Sequence, residues 1–265
     1  MSEPDLPRFH TGRPYDHTRL AARPFARSDE FRAFVDEVLQ ESKASGSIVA
    51  SDNPYALLPD TLSFLGALLD RTVPDLIVEF GSGQSTRLFS KWAAEYGKRV
   101  ISVEHDRSWI EQVDRELPPA LRSVVTMVHA PLRLKRHGLR EFFSYDALNQ
   151  LAFEVRRADL FLLDGPHVSG REDVLYFVLC QCHVGATIVI DDFRSYSIGE
   201  MVDTLPARLA ECFAISAVDD NSHGLGVLRC VRAPSPAPLP AISFRSVLRS
   251  YWRCFLDYKN YGTGD

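Results

Sequence analysis

Acidic side chains stand at or just beyond the ends of four short apolar runs in this chain, and what they face decides the chemistry open to them. Leu76-Ile77-Val78-Glu79-Phe80 breaks into Gly81-Ser82-Gly83-Gln84-Ser85-Thr86. A buried strand delivered to a tight glycine turn, with a helix just beyond, is how an α/β sheet presents backbone N–H groups to a nucleotide-like ligand. Arg99-Val100-Ile101-Ser102-Val103 ends on Glu104, twenty-one residues beyond Gly83, the distance at which an acid reaches ribose hydroxyls. Leu160-Phe161-Leu162-Leu163 runs into Asp164-Gly165-Pro166-His167, and Thr187-Ile188-Val189-Ile190 into Asp191-Asp192. If those two strands are neighbours, Asp164, Asp191 and Asp192 converge on one rim, where like charges cost free energy unless a cation or a proton sits between them. Such an oxygen-only cluster suits Mg2+ or a similar hard divalent ion.

Two cofactor classes share the strand, glycine turn, helix, strand and acid arrangement: nicotinamide dinucleotides and S-adenosylmethionine. A dinucleotide site wants a third glycine so that helix and strand can pack closely around a pyrophosphate, and this chain has Thr86 there. S-adenosylmethionine carries no phosphate, so the requirement relaxes. Blander readings exist for each feature. A glycine turn often only punctuates the fold, an Asp after a strand often caps a helix, and Asp164-Gly165-Pro166 is a good turn sequence without any ion.

The elements that must position these residues alternate along the chain. Phe31, Phe34, Val35, Val38 and Leu39 form an apolar stripe after the helix start at Ser28-Asp29-Glu30, and Pro59 opens a second helix carrying Leu62, Leu65, Leu68 and Leu69. Leu88, Phe89, Trp92 and Ala93 recur at helical spacing up to Gly97. Further strands are expected at 124–129, 160–163 and 186–190, further helices at 109–116 and 172–182, and a closing antiparallel pair at 212–218 and 226–231. Repeated parallel βα units closed by such a pair predict an α/β fold with a doubly wound, mostly parallel seven-stranded sheet. Residues 131–150 read as an insertion rich in Arg, Lys and aromatic side chains. The first stretch, to about Arg27, reads as a flexible arm or a lid. The organisation expected is therefore an N-terminal arm and helix over 1–58, a cofactor-binding domain over 59–231, and a proline-rich linker with an amphipathic C-terminal helix over 232–265.

Hydrophobic residues make up 45% of the 265 and charged residues 25%, the balance of a globular chain with one sizeable core plus additions. No apolar run reaches the roughly eighteen residues of a membrane span, and the N-terminus has no apolar signal core, so a cytoplasmic protein without stable membrane insertion is expected. The net charge of −5 gives no general attraction to nucleic acid. A small-molecule substrate is the better expectation. Five cysteines without a CxxC pair argue against a disulfide framework, and Cys180 and Cys182, two apart on a helix, point to different sides and read as ordinary core and surface residues. In the C-terminal segment Phe244, Val247, Leu248, Tyr251, Trp252 and Phe255 form a stripe, with Arg245, Arg249 and Arg253 on another face. Packing on the core or on a second copy, giving a homo-oligomer, is favoured there over a membrane surface.

The segment Glu79-Phe80-Gly81-Ser82-Gly83-Gln84-Ser85, followed by Val103-Glu104-His105-Asp106, resembles the first two cofactor motifs of class I S-adenosylmethionine-dependent methyltransferases, with Ser85 where the family form has its last glycine. The resemblance implies a Rossmann-like sheet of strand order 3-2-1-4-5-7-6 with N-terminal helices and a C-terminal helix. It implies cofactor contacts from Glu79, Gly81, Gly83, Ser85, Thr86 and Glu104, and from His129 and Ala130 near the adenine. The Asp after strand four and the acidic pair after strand five are similar to those of metal-dependent O-methyltransferases of the catechol and macrolide-sugar types. That likeness implies a metal on Asp164, Asp191 and Asp192, with His167, three residues beyond Asp164, as general base. The activity implied is divalent-metal-dependent O-methylation of a small-molecule hydroxyl. Rival readings are a metal-independent methyltransferase, a nicotinamide-dependent oxidoreductase and a non-catalytic interaction domain. Phe193, Arg194, Tyr196 and Arg171 are candidates for the substrate wall.

Overall fold

The computed structural model describes residues 15–44, 57–137, 139–146, 148–166, 168–218, 224–235, 248, 251–252 and 254–255. In chain order it contains α1 (Asp29–Ala44), α2 (Pro59–Thr72), β1 (Leu76–Phe80), α3 (Gln84–Tyr96), β2 (Arg99–Glu104), α4 (Arg107–Glu116), α5 (Pro119–Arg122), β3 (Val125–His129), β4 (Leu132–His137), β5 (Arg140–Tyr145), α6 (Ala152–Val155), β6 (Leu160–Leu163), α7 (Val168–Gln181), β7 (Thr187–Ile190), α8 (Tyr196–Asp203), α9 (Ala207–Ala210), β8 (Phe213–Val218) and β9 (Leu225–Cys230).

Seven strands form one sheet in the order β3-β2-β1-β6-β7-β9-β8. Counting only those strands, this is the order 3-2-1-4-5-7-6. The first five pair in parallel, and β9 joins β7 and β8 antiparallel. Central strands covered on both faces must be apolar on both, which is why they read as continuous runs in the sequence. Ile77, Leu160, Leu162 and Val189 face one cluster with α1, α2 and α3, while Val78, Phe80, Phe161, Leu163, Ile188 and Ile190 face the other with α7, α8 and α9. No helix among the described residues is long and apolar enough to cross a membrane.

Two segments that the sequence leaves undefined take definite form. The insertion at 131–150 is an antiparallel hairpin, β4–β5, in register Leu132↔Tyr145. It is anchored on α7 by the buried Arg140–Glu172 ion pair and by Lys135 Nζ, 3.3 Å from Asp173 Oδ2. Helix α7 lies so close that a Cβ on Gly170 would overlap the Phe143 carbonyl. Over its described part, 15–27, the N-terminal stretch is a docked strap: the Tyr15 N–H donates to the Arg194 carbonyl at 2.8 Å, Ala26 bridges to Ala214, and Tyr15 fills the space above Gly199. Tyr15 and Phe25 are buried in that docking, and their apolar burial offsets part of the entropy cost of ordering the strap.

Cys182 is buried and Cys180 half-buried. Of the C-terminal stripe, Leu248, Tyr251, Trp252 and Phe255 are exposed helical positions, with the Trp252 and Phe255 rings 6.1 Å apart. Phe244, Val247, Arg245, Arg249 and Arg253 lie outside the described residues, as do the turn at 219–223 and His167.

Candidate active site

The site residues gather where β1, β2, β3, β6 and β7 end. Parallel pairing brings these carboxyl ends to one rim, where ligands bind in such sheets. Glu79 sits on β1 itself, wholly buried, and Ser85 Oγ donates to its Oε2 at 2.6 Å. Its Oε1 has no hydrogen-bond partner among the described residues. Burial pushes this carboxyl up to about 7, against the pull of the Ser85, Thr86 and Ser102 hydroxyls and with a further push from the Asp164 charge.

The glycine turn does not present its N–H groups outward. Gly81 N–H donates to the Val103 carbonyl at 2.9 Å, Ser82 N–H to Glu104 Oε2 at 3.1 Å, and Gly83 N–H to Thr86 Oγ1 at 2.9 Å. What the turn offers instead is room, because a Cβ on Gly83 would meet nothing within 4 Å. Gly81 is constrained differently: its φ is +98°, and a Cβ there would lie 2.9 Å from the Gly165 nitrogen. Thr86 is buried against Ser102, 3.4 Å between their hydroxyl oxygens, which accounts for a side chain where a dinucleotide site needs glycine.

Glu104, at the end of β2, ties two loops together. Its Oε1 accepts from the backbone of His105 at 2.7 Å and Asp106 at 3.0 Å and lies 2.6 Å from His105 Nδ1. Burial alone would raise this carboxyl, but the hydrogen bond and charge of His105 and the Asp106 and Ser82 amides hold it below the usual range. Asp106 caps α4 instead of facing the site, accepting from Ser108 and Trp109 N–H. Trp109 Nε1 then donates to the Ser82 carbonyl at 2.8 Å, bracing the turn. Ala130 N–H donates to the Glu104 carbonyl at 2.8 Å, and His129 Nε2 lies 3.0 Å from the His105 carbonyl. Thus Ser82, Gly83, Glu104, His129 and Ala130 lie along one stretch of the rim.

At the ends of β6 and β7, one carboxylate oxygen each from Asp164, Asp191 and Asp192 lies within 4.8 Å of the others. Asp191 is 5% exposed and its Oδ1 has no hydrogen-bond partner among the described residues. Burial, followed by the charges of Asp164 and Asp192, pushes it well above the usual carboxylate range, with Arg171 pulling the other way. Arg171 is a buried cation beside the cluster: it donates to the Asp164, Pro166 and Asp191 carbonyls, and its guanidinium is 3.3 Å from Asp192 Oδ2 and 3.6 Å from Asp164 Oδ1. It is therefore a brace between strand ends, where a substrate wall was expected. Phe193 also departs from that expectation, being wholly buried, with its ring stacked on His17 at 5.0 Å and edge-on to Tyr15. Arg194 is exposed beside Gly224, and the Tyr196 side chain lies outside the described residues.

Sequence reasoning missed Arg171 as a partner of the three acids, His105 as a partner of Glu104, and Tyr145. The Tyr145 hydroxyl reaches the rim from β5, 2.8 Å from the position a Cβ on Gly165 would take. Arg171 and Tyr145 reach the site by tertiary packing, which the one-dimensional pattern does not mark, whereas His105 simply follows Glu104 in the chain.

A family model described as a methyltransferase domain matches residues 78–193. The SAH-bound methyltransferase PaMTH1 of Podospora anserina is similar in structure, at 16% identity and TM-score 0.50, over 83% of this chain and 98% of that one. An RNA methyltransferase from Salinibacter ruber, in complex with S-adenosyl-L-homocysteine, aligns at 16% identity and TM-score 0.43 over 73% of this chain and 99% of that one. A precorrin-6y C5,15-methyltransferase from Geobacter metallireducens aligns at 10% identity and TM-score 0.45 over 69% and 93%. No curated protein matches the sequence. The matched segment runs from β1 to just beyond β7 and takes in the glycine turn and the three acids, and the seven-stranded sheet has the Rossmann-like fold of class I methyltransferases.

Proposed function

We propose that the chain transfers a methyl group from S-adenosylmethionine to a hydroxyl of a small molecule held over Asp164, Asp191 and Asp192, with a divalent ion on those carboxylates. The observation that carries this reading is the meeting of three carboxylates beside the glycine turn, one of them buried with an oxygen lacking a partner. The cofactor supplies an electrophilic methyl on a sulfonium, so the chain's task is to align a nucleophile, take its proton and exclude water. The open space at Gly83, the orphaned Glu79 oxygen and the Glu104 carboxylate fit that cofactor. A hard cation suits the all-oxygen donor set and would lower the pKa of a hydroxyl beside it. His167, three residues after Asp164, is assigned the proton. Small molecules are favoured over nucleic acid by the net charge of −5.

One observation favours a second reading, a metal-independent methyltransferase. Arg171 already brings a positive charge to the Asp164 and Asp192 carboxylates, and a guanidinium can hold a carboxylate cluster together without an ion. Titration of Mn2+ into the purified chain separates the two. Saturable binding that weakens at least about tenfold in Asp191→Asn, with turnover lost in EDTA and restored by Mg2+ or Mn2+, is expected for the metal reading. Full turnover in EDTA, with no saturable Mn2+ binding, favours Arg171 as the resident cation.

A further inference from the structure

We infer that the Tyr145 hydroxyl, delivered by the inserted β4–β5 hairpin, is a binding contact for the S-adenosylmethionine molecule held at the glycine turn. This rests on the cofactor reading above and adds to it a residue outside the cofactor motifs. Tyr145 is wholly buried, yet its hydroxyl oxygen has no hydrogen-bond partner among the described residues. A buried hydroxyl left unpaired costs about 1–3 kcal/mol, so an orphan of this kind in a rim where a ligand belongs calls for a partner.

The direction of the hydroxyl is set by packing. The Tyr145 ring lies 6.1 Å from Phe80, at the end of β1, and 6.5 Å from His105, which follows Glu104. Its oxygen fills the space that a side chain at Gly165 would take, and Gly165 itself is in backbone contact with Gly81. The hydroxyl thus stands over the seam between the β1 and β6 turns. Glu104 is the largest charge influence on it, ahead of Arg171, Asp164 and Glu79. The ring contacts with Phe80, beside Glu79, and His105, beside Glu104, put it at the cofactor end of the rim.

The hairpin that carries Tyr145 is held rigidly. Phe143 N–H donates to Ser169 Oγ at 3.2 Å, Ser144 Oγ to the Gly170 carbonyl at 3.4 Å, and the buried Arg140–Glu172 pair fixes the far end of β5. A side chain locked before the ligand arrives loses little freedom on binding, which is what a positioning contact requires.

The test compares S-adenosylhomocysteine binding by calorimetry for the full wild-type chain and for Tyr145→Phe, together with thermal unfolding of both without ligand. Phe keeps the ring and removes only the hydroxyl. The expected result is affinity about five- to tenfold weaker in the variant, the worth of one buried hydrogen bond, with an unliganded Tm equal to or above that of wild type because an unpaired buried oxygen has gone. Wild-type affinity in the variant overturns the assignment, and so does a lower Tm with unchanged affinity, which makes the hydroxyl structural. If the wild-type chain itself does not bind S-adenosylhomocysteine, the cofactor reading falls and this contact with it.

Discussion

Gly81 and Gly165 meet backbone to backbone: a Cβ on Gly81 would lie 2.9 Å from the Gly165 nitrogen, and one on Gly165 would lie 3.0 Å from the Gly81 Cα. The turn after β1 and the turn after β6 therefore interlock, and the rim that brings Glu79, Asp164 and Tyr145 together depends on two residues without side chains. Gly83, two residues from Gly81, faces open space.

This contrast separates two glycines that look alike in the sequence. Gly81→Ala forces a side chain into a left-handed position against backbone and should cost about 2–4 kcal/mol of stability in chemical denaturation. Gly83→Val should unfold at nearly the wild-type midpoint while losing S-adenosylhomocysteine binding in calorimetry, because the added side chain occupies the cradle. Equal affinity in Gly83→Val and wild type would move the cofactor away from this turn.

Glu79 should leave a signature in the pH dependence of stability. Its carboxyl rises from 4.5 to about 7 on folding, so the folded state holds a proton that the unfolded chain releases. Its contribution is therefore fully present below pH 4.5 and is lost as pH rises through about 7. Glu79→Gln cannot ionise, and the wild-type minus variant difference should fall by on the order of 3 kcal/mol across that window. Denaturation midpoints at several pH values between 4.5 and 8 would show it, and a flat difference would mean that Glu79 stays ionised in the fold.

His167→Ala should lower the single-turnover methyl-transfer rate about a hundredfold to ten-thousandfold, the usual effect of removing a positioned base, with little change in cofactor affinity. The acidic limb of the pH–rate profile should go with it, since an unperturbed imidazole titrates near roughly 6.5. A variant that keeps both the rate and the limb would reduce His167 to a turn residue.

The sheet was legible because its physics is one-dimensional. Strands buried on both faces must be mainly apolar, so 76–80, 99–104, 160–163 and 187–190 announce themselves, and the acids at or near their ends follow by position. The β4–β5 hairpin was not legible. Its partner is α7 and not the main sheet, so Arg140 is buried against Glu172 while Leu134 and Leu139 are exposed, the reverse of what polarity suggests. Arg171 was taken for a substrate wall because spacing along α7 cannot reveal that the first turns of that helix lie beside the ends of β6 and β7. The strap at 15–27 reads as a flexible arm or a lid because Tyr15 and Phe25 follow no period. Their burial against α8 and the edge of β8 is decided by contacts far along the chain.

The central claim is that the rim formed by Gly81, Gly83 and Glu104 binds S-adenosylmethionine, and the most direct test is a thermal unfolding series of the wild-type chain with S-adenosylhomocysteine, NAD or no ligand. At a hundred times its dissociation constant a ligand specific for the folded state adds about 2.7 kcal/mol of stability. The account predicts a saturable rise in Tm with S-adenosylhomocysteine, none with NAD, and loss of the rise in Glu104→Ala. A rise with NAD alone, or no rise with S-adenosylhomocysteine at saturating concentration, would contradict it.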